Sequence, residues 1–188
     1  VMEELWQTIA KRYVDEPVVA AYDIMNEPQN NGGYEGEHSY SPWDPHSWQM
    51  SNAIHERMIR AIREVDQRHI ITVEGIWRLS NLPDPRSMGW DNMMYQIHLY
   101  DDDEGFAHWT DDIAKVSKEY GVAGYIGEFQ NMRGLEMCNK HHLSWTTWTY
   151  KGTRTDIGEF FWFFGDVEIV DVKKDSFEEI KRKWGEAI

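Results

Sequence analysis

Cysteine is almost missing from this sequence: Cys138 is the only one in 188 residues. One thiol makes no internal disulfide and no thiolate zinc site, and it leaves the redox compartment open. Long apolar runs are also missing; none approaches the roughly 20 residues of a membrane span, and no charged-then-apolar leader opens the chain. Positive charge is scarce, with 19 Lys and Arg against 33 Asp and Glu and a net charge of −14. A chain this acidic repels phosphate backbones and anionic membranes, so neither nucleic acid nor a membrane is expected as a partner. No GxGxxG or GxxxxGK[ST] follows a strand-like run, which removes the main nucleotide signatures. The metal motifs fail as well. Asp101–Gly105 departs from an EF-hand loop and reads as a solvated acidic loop. His55 lacks the second histidine of HExxH, and the adjacent His141 and His142 would face differently on a helix. No cofactor or metal is expected.

What the chain has in excess is aromatic side chains: ten Trp, nine Tyr and seven Phe, 14% of the residues. A large aromatic core accounts for some of them. Many others sit beside polar or turn residues, among them Trp43, Trp48, Trp77, Trp90, Trp109, Trp145 and Trp148. Flat rings at loop ends stack on flat apolar faces, and sugar rings have such faces.

Five runs read as strands: Val18–Met25, His69–Gly75, Met93–Tyr100, Val122–Phe129 and Leu143–Tyr150. Most are rich in β-branched or aromatic residues. The first is nearly continuous in apolar character, the pattern of a strand covered on both faces. Helical periodicity lies around and between them. Leu5, Ile9 and Tyr13 fall on one face ahead of the first strand. Ile54, Met58, Ala61, Ile62 and Val65 form a second stripe, with Ser47 as its N-cap. Ile113, Val116 and Tyr120 form a third, with Gly121 as its stop. Ser176 and Glu179 fit a capping box near the end of the chain. No regular helix is expected from Leu79 to Trp90, and the long loop from Gln29 to Ser47 reads as a cleft wall.

Strand alternating with helix means parallel strands joined by crossovers. A doubly wound open sheet and a (β/α)8 barrel both meet that description. The barrel fits better, because polar and aromatic residues gather where strands end: Asn26 and Glu27, Glu74 and Trp77, His98 and Tyr100, Glu128, and Trp148 with Lys151. Five strands are too few for a whole barrel.

Glu27 and Glu128 each end a strand at one rim. Two carboxylates facing each other across a sugar are what glycoside hydrolysis requires, one protonated to release the leaving group and one ionised to attack or to activate water. A lone strand-end Glu is more often a solvated or ion-paired rim residue. The neighbours move that judgement. Asn26 can donate to a sugar hydroxyl, and Pro28 is expected to hold Glu27 extended and end the strand. His98 and Tyr100, two apart on a strand, point to one face.

"YDIMNEP", "IHLY", "YIGEF" and "WTTWTYK" resemble, in that order, the later signature segments of glycoside hydrolase family 5, the cellulase family. The resemblance covers nearly the whole chain and implies an α/β fold: a partial (β/α)8 TIM barrel, strands 4 to 8 with their helices, the first three strands absent. Residues 1–188 would then be the C-terminal portion of a catalytic barrel, and self-association through the open sheet edge is expected. An Arg and a His that the family carries on earlier strands have no counterpart here. The resemblance further implies a retaining, endo-type hydrolase of plant-type β-glucan that works outside the cytoplasm, extracellular or periplasmic. On it Glu27 is the acid/base and Glu128 the nucleophile. Asn26 contacts the 2-hydroxyl, Tyr100 hydrogen-bonds the nucleophile beside His98, and Trp148 stacks on the sugar being cleaved. Trp77 and Lys151 complete the expected substrate contacts. A non-catalytic glycan-binding module and an inactive structural fragment are the alternatives.

Overall fold

The computed structural model describes residues 1–28, 45–75, 78–130, 134–148, 151–152, 161–164, 168–172, 178–182 and 185. Five short strands run in chain order through one sheet: β1 (Ala21–Asp23), β2 (Ile70–Glu74), β3 (Met93–Leu99), β4 (Ala123–Phe129) and β5 (Ser144–Trp145). They are parallel and alternate with helices α1 (Met2–Tyr13), α2 (Pro45–Arg63), α3 (Pro85–Met88), α4 (Asp103–Tyr120) and α5 (Leu135–Lys140). This is the expected half-barrel. All five strand-like runs contain a strand, each trimmed at its ends. A second, three-stranded sheet was not anticipated. In it β6 (Lys151–Gly152) pairs parallel to β7 (Phe161–Phe164), which pairs antiparallel to β8 (Glu168–Val172) with an irregularity at Trp162 and Phe163.

The chain divides into two compact units, Val1–Ile97 with Val116–Gly124, and His98–Lys115 with Tyr125–Ile188. In the first unit the register sorts residues by face. Tyr22 lies opposite Ile71, Ile71 opposite Met93 and Val73 opposite Tyr95. With Ile24 and Ile97 these make a buried apolar layer. The other face carries Asp23, Thr72, Glu74 and Gln96, because strand side chains alternate. Only one face of β1 is buried: Tyr22 is inside, Asp23 outside, and Val18 is 86% exposed. The double-sided burial expected of that run is therefore corrected. β1 lies at one end of the sheet order, where a three-residue strand meets the core through a single side chain.

The helix stripes also shifted. In α1 the residues turned inward are Trp6, Ile9 and Ala10, whereas Leu5 and Tyr13 are exposed. Trp6 Nε1 donates to the Ile24 carbonyl at 3.2 Å, which rotates the helix onto its indole. In α2, Met58, Ala61 and Ile62 are buried as expected, but Ile54 is exposed and Ser47, Ser51 and His55 are inside. The buried stripe of α2 therefore runs through two serines and a histidine. Ser47 is not the N-cap: α2 begins at Pro45, a residue suited to the first turn. Between Leu79 and Trp90 a single 3-10 turn (Leu79–Asn81) precedes α3. Asp84 caps α3, accepting the Arg86 amide at 3.0 Å, and Gly89 ends it at φ +67. Gly121 ends α4 at φ +70 as anticipated.

A buried polar knot stands at the start of β2. The Asp66 carboxylate accepts the Arg68 and His69 amides at 2.8 and 3.1 Å and the Tyr22 hydroxyl at 2.7 Å, and lies 2.5 Å from His69 Nδ1. Arg63 stretches across to the carbonyls of Asp66, His69 and Asp91.

In the second unit the core is aromatic. Phe106 and Phe129 lie 5.4 Å apart, and Trp145 meets Phe129 edge-on at 6.1 Å. Cys138 is buried, and burial pushes its thiol up to about 12, so it stays protonated and inert. The acidic run before α4 is a helix start: Asp102 accepts the Gly105 amide at 2.9 Å, and Asp101 receives the Trp109 indole N–H at 3.2 Å. The Gln29–Ser47 loop lies outside the described residues up to position 44, as does the Ser176 of the expected capping box.

Candidate active site

β4 and β3 end in the second unit with three of the expected residues together. β4 delivers Glu128, half-buried, one residue before the buried Phe129. The Tyr100 hydroxyl donates to Glu128 Oε2 at 2.7 Å, and His98 Nδ1 lies 3.4 Å from the same oxygen. Neither contact uses Oε1. Tyr100 is about half exposed, whereas the His98 side chain is 8% exposed, so the tyrosine faces solvent while the histidine braces from behind. The spacing of two along one strand brings both to this carboxylate. After β5 the Trp148 amide donates to the Phe129 carbonyl at 3.0 Å, which ties its backbone beside the end of Glu128's strand. The Trp148 ring is 44% exposed.

In the first unit the rim is different. Asn26 and Glu27 follow β1 and are both exposed, and Pro28 is buried. Glu27 is not extended. Its φ is +42, in the left-handed region that few non-glycine residues enter. The proline disfavours the right-handed helical region for Glu27. The Glu27 amide donates to Glu74 Oε2 at 2.5 Å. The positive φ, with the N–H on the carboxylate, corrects the extended conformation expected from Pro28 alone.

The sequence places Glu74 at the rim and assigns it no role. It is 4% exposed, the last residue of β2, in register with Gln96. Its signal in the sequence was a charge closing an apolar strand immediately before glycine. Gly75 is required there. A Cβ on it would sit 2.3 Å from the Arg78 carbonyl oxygen, a backbone atom, and its amide is bonded to the Gln96 carbonyl at 2.9 Å. Gly75→Ala is expected to cost about 1–3 kcal/mol of stability, because the strand end cannot move without breaking that bond. A urea midpoint unchanged from the wild type would refute this. Trp77 and the side chain of Lys151 lie outside the described residues; the Lys151 backbone opens β6. Among the described residues no helix is long and apolar enough to cross a membrane.

Parallel strands alternating with helices, with carboxylates, imidazole and phenol at the strand ends, define the class, a partial (β/α)8 barrel. The family model "Cellulase (glycosyl hydrolase family 5)" matches residues 1–167, and the chain belongs to that family. It is 24% identical over 195 residues to a β-xylosidase of Phanerodontia chrysosporium, covering 82% of this chain and 37% of that protein. It is 23% identical over 190 residues to an endoglucanase of Bacillus sp. (strain KSM-635), covering 84% of this chain and 20% of that one. The chain thus spans well under half the length of these relatives. Its fold matches Thermotoga maritima Cel5A in complex with cellobiose with a TM-score of 0.68 at 21% identity, over 95% of this chain and 65% of that one. The same enzyme in complex with mannotriose gives 0.67 at 21% identity, over the same shares of the two chains.

Proposed function

We propose that the chain is the catalytic part of a retaining β-glycoside hydrolase that cuts β-linked polysaccharide by double displacement outside the cytoplasm. The observation that carries this reading is the held carboxylate of Glu128, gripped through Oε2 by Tyr100 with Oε1 left for reaction. A phenol hydrogen bond fixes the plane of the carboxylate before substrate arrives, which lowers the reorganisation the reaction needs. Glu128 attacks the anomeric carbon while Glu27 gives its proton to the departing glycosidic oxygen, so the C–O bond breaks as the ester forms. Water then gives its proton to Glu27 and its oxygen to the anomeric carbon, and the bond to Glu128 breaks. Net configuration is retained because it inverts twice.

Asn26 donates to the 2-hydroxyl, His98 supports the nucleophile, and Trp148, Trp77 and Lys151 contact the sugars. Family membership and the strand-end placement of Asn26 and Glu27 support these roles. β-Glucan of the cellulose type is the favoured substrate class, in keeping with the endoglucanase relative and the cellobiose complex of the Thermotoga maritima enzyme. The mannotriose complex of that enzyme makes mannan the next polymer to try.

The test is reducing-sugar release from cellulose, mixed-linkage β-glucan, mannan and xyloglucan. Turnover of at least one polymer, lost in Glu128→Gln, is expected. Binding without turnover on any of them would move the reading to a glycan-binding module. Calorimetry showing no heat with cello- or manno-oligosaccharides would leave an inert fragment. Tyr100→Phe is expected to lower kcat by about 10–100-fold with little change in KM, since it removes one donor from the attacking group and nothing from the sugar contacts.

A further inference from the structure

The Glu27 amide is held by a residue that the double-displacement scheme does not use. Glu74 closes β2 with its side chain on the same face as Thr72 and Gln96. Those two do not hold it: among the described residues the Thr72 hydroxyl and both Gln96 amide atoms have no hydrogen-bond partner. Instead Glu74 Oε2 takes the Glu27 amide at 2.5 Å. The carboxylate is almost wholly buried, and a buried carboxylate is costly unless donors satisfy it. A charge-assisted bond from a backbone N–H is the kind of partner that satisfies it, and such bonds are short and strong. Its base is anchored to β3, for Glu74 is in register with Gln96 and the Gly75 amide is bonded to the Gln96 carbonyl. Its target is not rigid by its own means. β1 ends at Asp23, and the residues after it follow no strand. The Ile24 amide reaches the Thr72 carbonyl at 3.3 Å, and the next fixed point along the chain is the Glu27 amide itself. Glu27 sits there at φ +42, a conformation that costs on the order of 1–2 kcal/mol in the absence of such a partner.

We propose that Glu74 is a positioning residue, whose buried carboxylate clamps the backbone of Glu27 in the left-handed conformation and so aims the Glu27 side chain for proton transfer. The proposal rests on the acid/base role given to Glu27 above. It differs from a structural buried carboxylate in one respect: loss of the clamp harms proton donation to the leaving group more than it harms anything else.

Two measurements test it. The first is backbone-amide NMR of the 15N-labelled chain. The Glu27 amide should be shifted downfield and slow to exchange, and its shift should follow the ionisation of Glu74. Glu74→Ala should abolish both features, and Glu74→Gln, which keeps an oxygen in place, should retain part of the protection. A Glu27 amide that exchanges like an open loop in the wild type, or that is unchanged in Glu74→Ala, overturns the proposal. The second is hydrolysis of aryl β-glycosides of graded leaving-group acidity. In kcat/KM, which reports the first, glycosylation step alone, Glu74→Ala should slow substrates with poor leaving groups by about 10–100-fold and spare activated ones, and Glu74→Gln should recover most of the rate. Equal loss across all leaving groups overturns the positioning role. Glu27→Ala separates this from the parent reading. If that variant shows no leaving-group dependence, Glu27 is not the acid, yet the amide measurement still reports on the clamp. That measurement needs no turnover, so it decides for the chain alone.

Discussion

Glu128→Gln is expected to lower kcat by about 10⁴-fold or more with the fold intact, the scale seen when a covalent nucleophile is removed. The amide keeps the shape of the side chain and can still meet the Tyr100 hydroxyl, so loss of packing does not enter. What is lost is the attacking electron pair. The roles of the two carboxylates are then separable by product stereochemistry. In Glu128→Gly, added azide takes the place of the missing side chain, attacks once and leaves an α-glycosyl azide, with Glu27 still protonating the leaving oxygen. In Glu27→Ala, with an activated leaving group, Glu128 still forms the ester and azide displaces it, giving the β-glycosyl azide. The reverse pattern, the β-azide from Glu128→Gly and the α-azide from Glu27→Ala, would mean the roles are exchanged. The same anomer from both would end the double-displacement reading. Circular dichroism of each variant checks that folding is not the cause.

Acid should destabilise the first unit in two steps. His55 is wholly buried on α2, with no hydrogen-bond partner for either ring nitrogen among the described residues. Burial pushes its pKa down to about 4 from the usual 6.5. Between those values the unfolded chain binds a proton that the folded chain does not, so stability falls as pH falls through that window, by about 3 kcal/mol in all. Asp66 governs the next window. Its burial raises the pKa, but the amides of Arg68 and His69, the Tyr22 hydroxyl and the His69 ring outweigh that and hold it at about 2. The ordinary value is 3.8. The stability this gives is present above that value and is lost as pH drops toward 2, about 2 kcal/mol more. Together these rival the whole stability of a small domain. Urea midpoints at about pH 7.5, 5 and 3 test it. His55→Leu should flatten the upper window and leave the lower one. A His55→Leu protein whose midpoint falls as steeply as the wild type between pH 6.5 and 4 would rule out His55 as the cause.

The strands were legible because parallel strands are short apolar runs with a polar residue where they stop, and "IITVE" and "YIGEF" show that on their face. The order of the signature segments was legible too, and with it the family. The helix faces were less so. Periodicity puts Ile54 and Leu5 inside because they are apolar, but α1 turns the Trp6 indole inward to the Ile24 carbonyl and α2 buries Ser47, Ser51 and His55. The second sheet escaped notice because "FWFF" and "EIVDV" read as ordinary apolar and alternating stretches without their pairing.

At the site, the sequence by itself determined which residues stand at the strand ends, since a strand delivers its last residues to the rim wherever it lies. It also determined that His98 and Tyr100 share a face, because that follows from alternation alone. Only the tertiary structure decided what those residues touch. The bond from Tyr100 to Glu128 joins positions 28 apart, and that from the Glu27 amide to Glu74 joins positions 47 apart. Local rules predicted an extended Glu27 ahead of Pro28. In the structure Glu27 instead stands at φ +42 with its amide on a carboxylate from the neighbouring strand, a partner that no local rule supplies because it lies 47 positions away.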